Sequence, residues 1–146
     1  MTFVNKGACQ MDRPKALLVE DNENNRYLLK LLLEDANIFV VCADNGPQAL
    51  VLAQTEQPDC ILLDIQMPEM DGYEVAAQLK ADEQLANIPI IGVSSFAMPG
   101  DREKAFRMGF AGYVEKPVDP ELFAPTVLRI LAATRTDEDT QRGRHS

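Results

Sequence analysis

Cys60-Ile61-Leu62-Leu63-Asp64, followed by Ile65-Gln66-Met67-Pro68-Glu69-Met70-Asp71-Gly72, is the stretch on which the fold turns. Residues 60–63 are apolar without alternation, so a strand there has no solvent face and needs cover on both sides. A lone carboxylate, Asp64, closes it. Asp71, with Glu74 three residues on, has the form of a capping box and predicts a helix to about Ala81. Strand, acidic end, loop, helix is one β-α unit.

The same unit recurs on both sides. Upstream, Lys15 to Val19 predicts a first strand, and Asn24 to Ala36 a helix with Tyr27, Leu28, Leu31 and Leu32 on one stripe. Ile38 to Cys42 is β-branched and aromatic, a second strand. Pro47, at a first helical position, opens a helix through about Glu56. Downstream, Ile88 to Val93 predicts a fourth strand, with Pro89 tolerable near its start. A helix from about Gly100 to Met108 is stopped by Gly109, and Ala111 to Val114 is a fifth strand. Asp119-Pro120 supplies an N-cap and a proline for a last helix carrying Leu122, Phe123, Val127, Ile130 and Leu131. Residues 1–13 read as a loose leader, 14–134 as one domain, and 135–146 as a disordered polar tail.

Five β-α units with continuous apolar strands predict an α/β fold, a five-stranded parallel sheet with helices on both faces. The expected strand order is the flavodoxin-like 2-1-3-4-5. The 146 residues suit one compact domain. A formal net charge of -9 opposes direct nucleic-acid binding and an anionic membrane surface. No apolar run approaches the roughly 20 residues of a spanning helix, and the start has no signal-peptide core. Cys9, Cys42 and Cys60 have no metal-ligand spacing and read as free thiols in a reducing compartment. The single histidine, His145, lies in the tail, which argues against a histidine-metal site or a Ser-His-Asp triad.

In open α/β sheets ligands bind beyond the carboxyl ends of the strands. Those ends carry Glu20 and Asp21 after the first strand, Asp64 after the third, Ser94 and Ser95 after the fourth, and Lys116-Pro117 after the fifth. Strands one and three are neighbours roughly 4.8 Å apart, so Glu20, Asp21 and Asp64 crowd into one pocket. Such hard oxygen donors suit Mg²⁺ or a similar divalent cation. Lys116 starts roughly 10 Å away, two strands across, and a lysine chain can cover most of that distance. Taken singly, each residue is an ordinary turn or surface residue; their joint order is not.

The segments at 17–25 (LLVEDNENN), 61–72 (ILLDIQMPEMDG), 90–98 (IIGVSSFAM) and 112–117 (GYVEKP) together resemble the response-regulator receiver domain, over about residues 15–133, and in particular its stand-alone type. The resemblance implies a cytoplasmic two-component switch in a phosphorelay, not a conventional enzyme. A phosphohistidine, on a histidine kinase or a histidine phosphotransfer protein, would donate its phosphoryl group to Asp64. Asp21, Asp64 and the backbone carbonyl of Gln66 would hold Mg²⁺ (or Mn²⁺), with Glu20 acting through a water. Lys116 and Ser94 would contact the phosphoryl oxygens. Ser94 and Tyr113 would be the switch pair, altering the face of the fourth helix, fifth strand and fifth helix for a downstream protein target. The chain would be a monomer or a weak homodimer through that face.

Two departures from the commonest pattern stand out: Glu20 is in the place of the usual Asp, and Ser94 in that of the common Thr. The resemblance also implies that Gln66 and Phe96 occupy variable positions that tend to tune phosphoryl lifetime. A bulky Phe96 predicts slow autodephosphorylation. One alternative is a phosphate-independent scaffold of the same fold. Another, a flavin carrier, needs a glycine- and hydroxyl-rich phosphate cradle where this chain has Val19-Glu20-Asp21-Asn22.

Overall fold

The computed structural model describes residues 13–67, 71–95 and 98–145, with side chains up to 134. The elements alternate strictly: β1 (Lys15–Val19), α1 (Glu23–Asp35), β2 (Phe39–Ala43), α2 (Gly46–Glu56), β3 (Cys60–Asp64), α3 (Gly72–Ala81), β4 (Ile90–Ser94), α4 (Asp101–Arg107), β5 (Gly112–Glu115) and α5 (Phe123–His145). The five strands form one sheet in the order β2-β1-β3-β4-β5. Every pairing is parallel, with Leu17 beside Ile61, Ile61 beside Ile90 and Ile91 beside Gly112. This is the predicted flavodoxin-like topology.

Strand side chains alternate between faces, and the sheet separates two cores. Leu17, Val19, Ile61 and Leu63 meet Ala49 and Ala53 of α2 and Val75 and Leu79 of α3. On the other face Ala16, Leu18, Leu62 and Val93 meet Leu29 and Leu33 of α1 and Phe123, Val127 and Leu131 of α5. That two-sided burial explains the unbroken apolar runs.

The caps are set locally. Asn22 Oδ1 accepts from Asn25 N at 2.9 Å, and Asn45 Oδ1 accepts from Gln48 N at 2.8 Å, starting α1 and α2. Asp71 caps α3 as expected, but its Oδ1 accepts from Tyr73 N at 2.7 Å, whereas a capping box would use Glu74 N. Pro89 sits just ahead of β4, and its carbonyl accepts from Ile61 N at 2.9 Å. A proline there costs the ladder nothing.

Two expectations need correction. On α1 the predicted stripe is displaced by one position. Tyr27 is 66% exposed and Leu28 and Leu31 are exposed too, while Leu29 and Leu33 are buried and Leu32 packs at the margin. Two adjacent apolar stripes both satisfy the helical period, and only the sheet chooses between them. On α5 Leu122 is 59% exposed, in the turn before the helix proper, where Asp119 Oδ1 accepts from Glu121 N at 2.9 Å. The helix runs on to His145. The expected leader falls, apart from Arg13, outside the described residues, as do Cys9 and Phe96. Cys42 and Cys60 are thiols without a disulfide. Among the described residues no helix is long and apolar enough to cross a membrane.

Candidate functional site

The carboxyl ends of β1, β3, β4 and β5 converge. Glu20 follows β1, and its backbone N–H donates to the Ala43 carbonyl at 3.0 Å, prolonging the sheet by one bond. Its own carbonyl accepts from Arg26 Nη1 at 3.0 Å, which ties α1 to the strand end. The Glu20 side chain is only 1% exposed. Asp64 ends β3, 4% exposed, and its Oδ1 accepts from the Gln66 backbone N–H at 3.0 Å. Carboxylate oxygens of Glu20, Asp21 and Asp64 lie within 4.8 Å of one another. The three residues expected to share an ion are therefore close enough to do so.

Close approach beneath this pocket depends on Gly72. Its N–H donates to the Ile65 carbonyl at 2.9 Å, pulling the start of α3 against the loop that follows Asp64. A Cβ at Gly72 would stand 2.5 Å from Ile65 Cα and 2.8 Å from the Asp64 carbonyl oxygen, both backbone atoms with nowhere to go.

Lys116 reaches in from beyond β5, and the Lys116-Pro117 bond is cis. Its N–H donates to the Ser94 carbonyl at 2.8 Å. Its Nζ is 2.6 Å from Glu20 Oε1 and 3.6 Å from Asp64 Oδ2. The direct Glu20–Lys116 contact was not anticipated from sequence, which assigned Glu20 to a water and Lys116 to the phosphoryl oxygens. The extra methylene of Glu over Asp was the available signal, since it is what lets this carboxylate reach the ammonium.

Asp64 is held well above the usual carboxylate range, its pKa pushed up to about 7. Burial is the main cause. The Gln66 N–H pulls the other way, the neighbouring Glu20 charge adds to the rise, and Lys116 opposes it. Three carboxylates facing one ammonium leave a deficit of positive charge. A divalent cation would fill that deficit, and an all-oxygen donor set is the kind Mg²⁺ prefers.

Ser94 is 2% exposed, and no side-chain hydrogen bond holds its hydroxyl among the described residues. Ser95 offers its N–H to Gln66 Oε1 at 3.0 Å, a contact no sequence pattern announces. Tyr113 is buried on β5, its ring under the Arg102 guanidinium at 5.5 Å from the centroid. Arg102 also lies 3.9 Å from Glu115.

Residues 16–127 match the response regulator receiver domain family. The chain belongs to that family. The receiver is 43% identical over 115 residues to the polar-differentiation response regulator DivK of Brucella anthropi, a match spanning 78% of this chain and 94% of that protein. Among solved structures it resembles the chemotaxis protein CheY4 of Vibrio cholerae, with a TM-score of 0.76, 30% identity, and coverage of 81% of this chain and 98% of that one. It also resembles the signal receiver domain of a signal transduction histidine kinase from Syntrophus aciditrophicus, with a TM-score of 0.73, 31% identity, and coverage of 82% and 91%. Receivers are signalling proteins of two-component systems that work with histidine kinases and downstream targets, and they bind Mg²⁺ through acidic residues. The acidic trio of this receiver lies at the carboxyl ends of the strands, where open α/β sheets bind ligands.

Proposed function

We propose that this receiver is a phosphoryl-accepting switch in which Asp64 takes a phosphoryl group from a phosphohistidine on a histidine kinase or histidine phosphotransfer protein. The observation that carries the reading is the packing of three carboxylates within 4.8 Å of one another, with the Lys116 ammonium 3.6 Å from Asp64. An Asp64 carboxylate oxygen attacks phosphorus in line; the donor N–P bond breaks as the O–P bond forms, and the imidazole leaves with the electron pair. Asp21, Asp64 and the Gln66 carbonyl are the candidates to hold Mg²⁺ or Mn²⁺, with Glu20 behind a water. When bound, that ion supplies positive charge to the carboxylates and the phosphoryl oxygens.

The remaining work falls to the chain's own groups. Gln66 N–H orients Asp64 through Oδ1. The burial that keeps Asp64 partly protonated near neutral pH also excludes water from the nucleophile. Lys116 stands ready to move from Glu20 to the arriving oxygens, a shift of its flexible end alone. The buried Ser94 hydroxyl gains an acceptor, and Ser94 with Tyr113 relays the change to the face built by α4, β5 and α5. Output then passes to a protein target in the cytoplasm, the protein acting as a monomer or as a weak dimer through that face.

Acetyl phosphate with Mg²⁺, followed by intact-mass measurement, tests this. Wild type should gain one phosphoryl group and Asp64→Asn none. Absence of any gain by wild type, with acetyl phosphate or with phosphorylated kinases, would leave the phosphate-independent scaffold as the better reading.

A further inference from the structure

One side chain ties the residues that immediately follow β3 and β4 together. Gln66 Oε1 accepts the Ser95 N–H at 3.0 Å, while the N–H of the same Gln66 donates to Asp64 Oδ1 at 3.0 Å. On its other side the β4 end is held by Lys116 N–H on the Ser94 carbonyl at 2.8 Å. That second tie continues the β4–β5 ladder, in which Ser94 stands beside Glu115, so it belongs to the sheet. The Gln66 tie is a single flexible side chain and can be released without disturbing any strand pairing.

We propose that the Gln66 carboxamide is a latch, a positioning residue that holds the Ser95 backbone, immediately after β4, in its unphosphorylated place until phosphorylation displaces it. The proposal rests on the reading of Asp64 as the phosphoacceptor. Two effects of phosphorylation act on Gln66 at once. Esterification takes charge from the Asp64 carboxylate and weakens its grip on Gln66 N–H. The phosphoryl group brings ionised oxygens, stronger acceptors for an N–H than an amide oxygen. Gln66 and Ser95 are both exposed, so the tie has the strength of one solvated hydrogen bond. It biases the position of the Ser95 backbone severalfold and does not lock it.

The test compares wild type, Gln66→Met, which keeps the length and loses the acceptor, and Gln66→Glu, which keeps an acceptor. NMR follows exchange of the Ser95 amide with solvent in the unphosphorylated, EDTA-treated protein. A separate titration measures binding of beryllofluoride, a phosphoryl mimic, with Mg²⁺ present. In Gln66→Met, Ser95 exchange should quicken by about threefold or more, and beryllofluoride should bind a few-fold more tightly, on the scale of one lost solvated hydrogen bond. Gln66→Glu should restore Ser95 protection. Unchanged Ser95 exchange in Gln66→Met overturns the latch, and so does beryllofluoride binding that is unchanged or weaker. Failure of wild type to bind beryllofluoride would instead remove the phosphoacceptor reading and the latch with it; that outcome is distinguishable because Ser95 exchange would still respond to the substitution.

Discussion

Asp64 keeps its proton to about pH 7 in the folded chain, against about 3.9 for an unfolded aspartate. The folded state therefore binds more protons between roughly pH 4 and 7, and in the absence of metal its stability falls as pH rises through that window. Asp64→Asn removes the titrating charge. We expect the variant to be more stable than wild type by about 1–3 kcal/mol at pH 8, with the gain shrinking toward pH 4–5. Thermal or urea unfolding in EDTA across that range checks the sign; a gain independent of pH would refute the burial argument. At the neighbouring position, Glu20→Gln removes the nearer of the two carboxylates that face the Lys116 ammonium, at 2.6 Å, and leaves Asp64 Oδ2 at 3.6 Å in a nearly water-free pocket. Without metal this should cost about 1–3 kcal/mol, measured by the same unfolding curves. These residue identities were readable in the sequence, which named Glu20, Asp21, Asp64, Ser94 and Lys116 as strand-end groups. Their pairing was not, because side-chain partners depend on distances across strands that are 40 to 100 positions apart along the chain.

Helix α1 and the start of α3 show what local pattern leaves undecided. Leu28 and Leu29 are chemically identical neighbours, yet one is exposed and the other 2% exposed. Leu29→Ala should destabilise by about 2–4 kcal/mol as a core truncation, whereas Leu28→Ala should stay within about 0.5 kcal/mol, the scale of a surface change. Equal effects in denaturant unfolding would restore the stripe read from periodicity. At α3, Gly72→Ala forces a Cβ against backbone atoms of Asp64 and Ile65. We expect a loss of about 2 kcal/mol or more from overpacking, and a weaker metal response because the Asp64 loop must move. A variant that matched wild type in both respects would show that α3 can stand off from β3 without consequence. Periodicity cannot see either feature, since it describes one element and both are contacts between two.

For the molecule as a whole, a divalent cation that binds only the folded state must raise its stability in proportion to ligand excess. Mg²⁺ at millimolar concentration should raise Tm, EDTA should reverse it, and the increment should be larger at pH 8 than at pH 6, because protonation of Asp64 competes with the metal. Calorimetry at the two pH values decides; an increment indifferent to Asp64→Asn would place the ion elsewhere. The alternation of apolar runs with capped helices, the order of acidic pair, aspartate, serine and lysine, and hence the parallel α/β sheet with these groups gathered at its carboxyl end all follow from the sequence alone. They do so because strand burial, helix period and cap chemistry are short-range properties written in adjacent residues. Only the tertiary structure decided which leucines of α1 face the sheet, that Glu20 holds Lys116 directly, that Gln66 reaches the Ser95 amide, and that α5 continues to His145. The first three depend on the mutual placement of separate elements. The last depends on a helix already anchored by its buried first turns, which makes extension cheaper than starting anew.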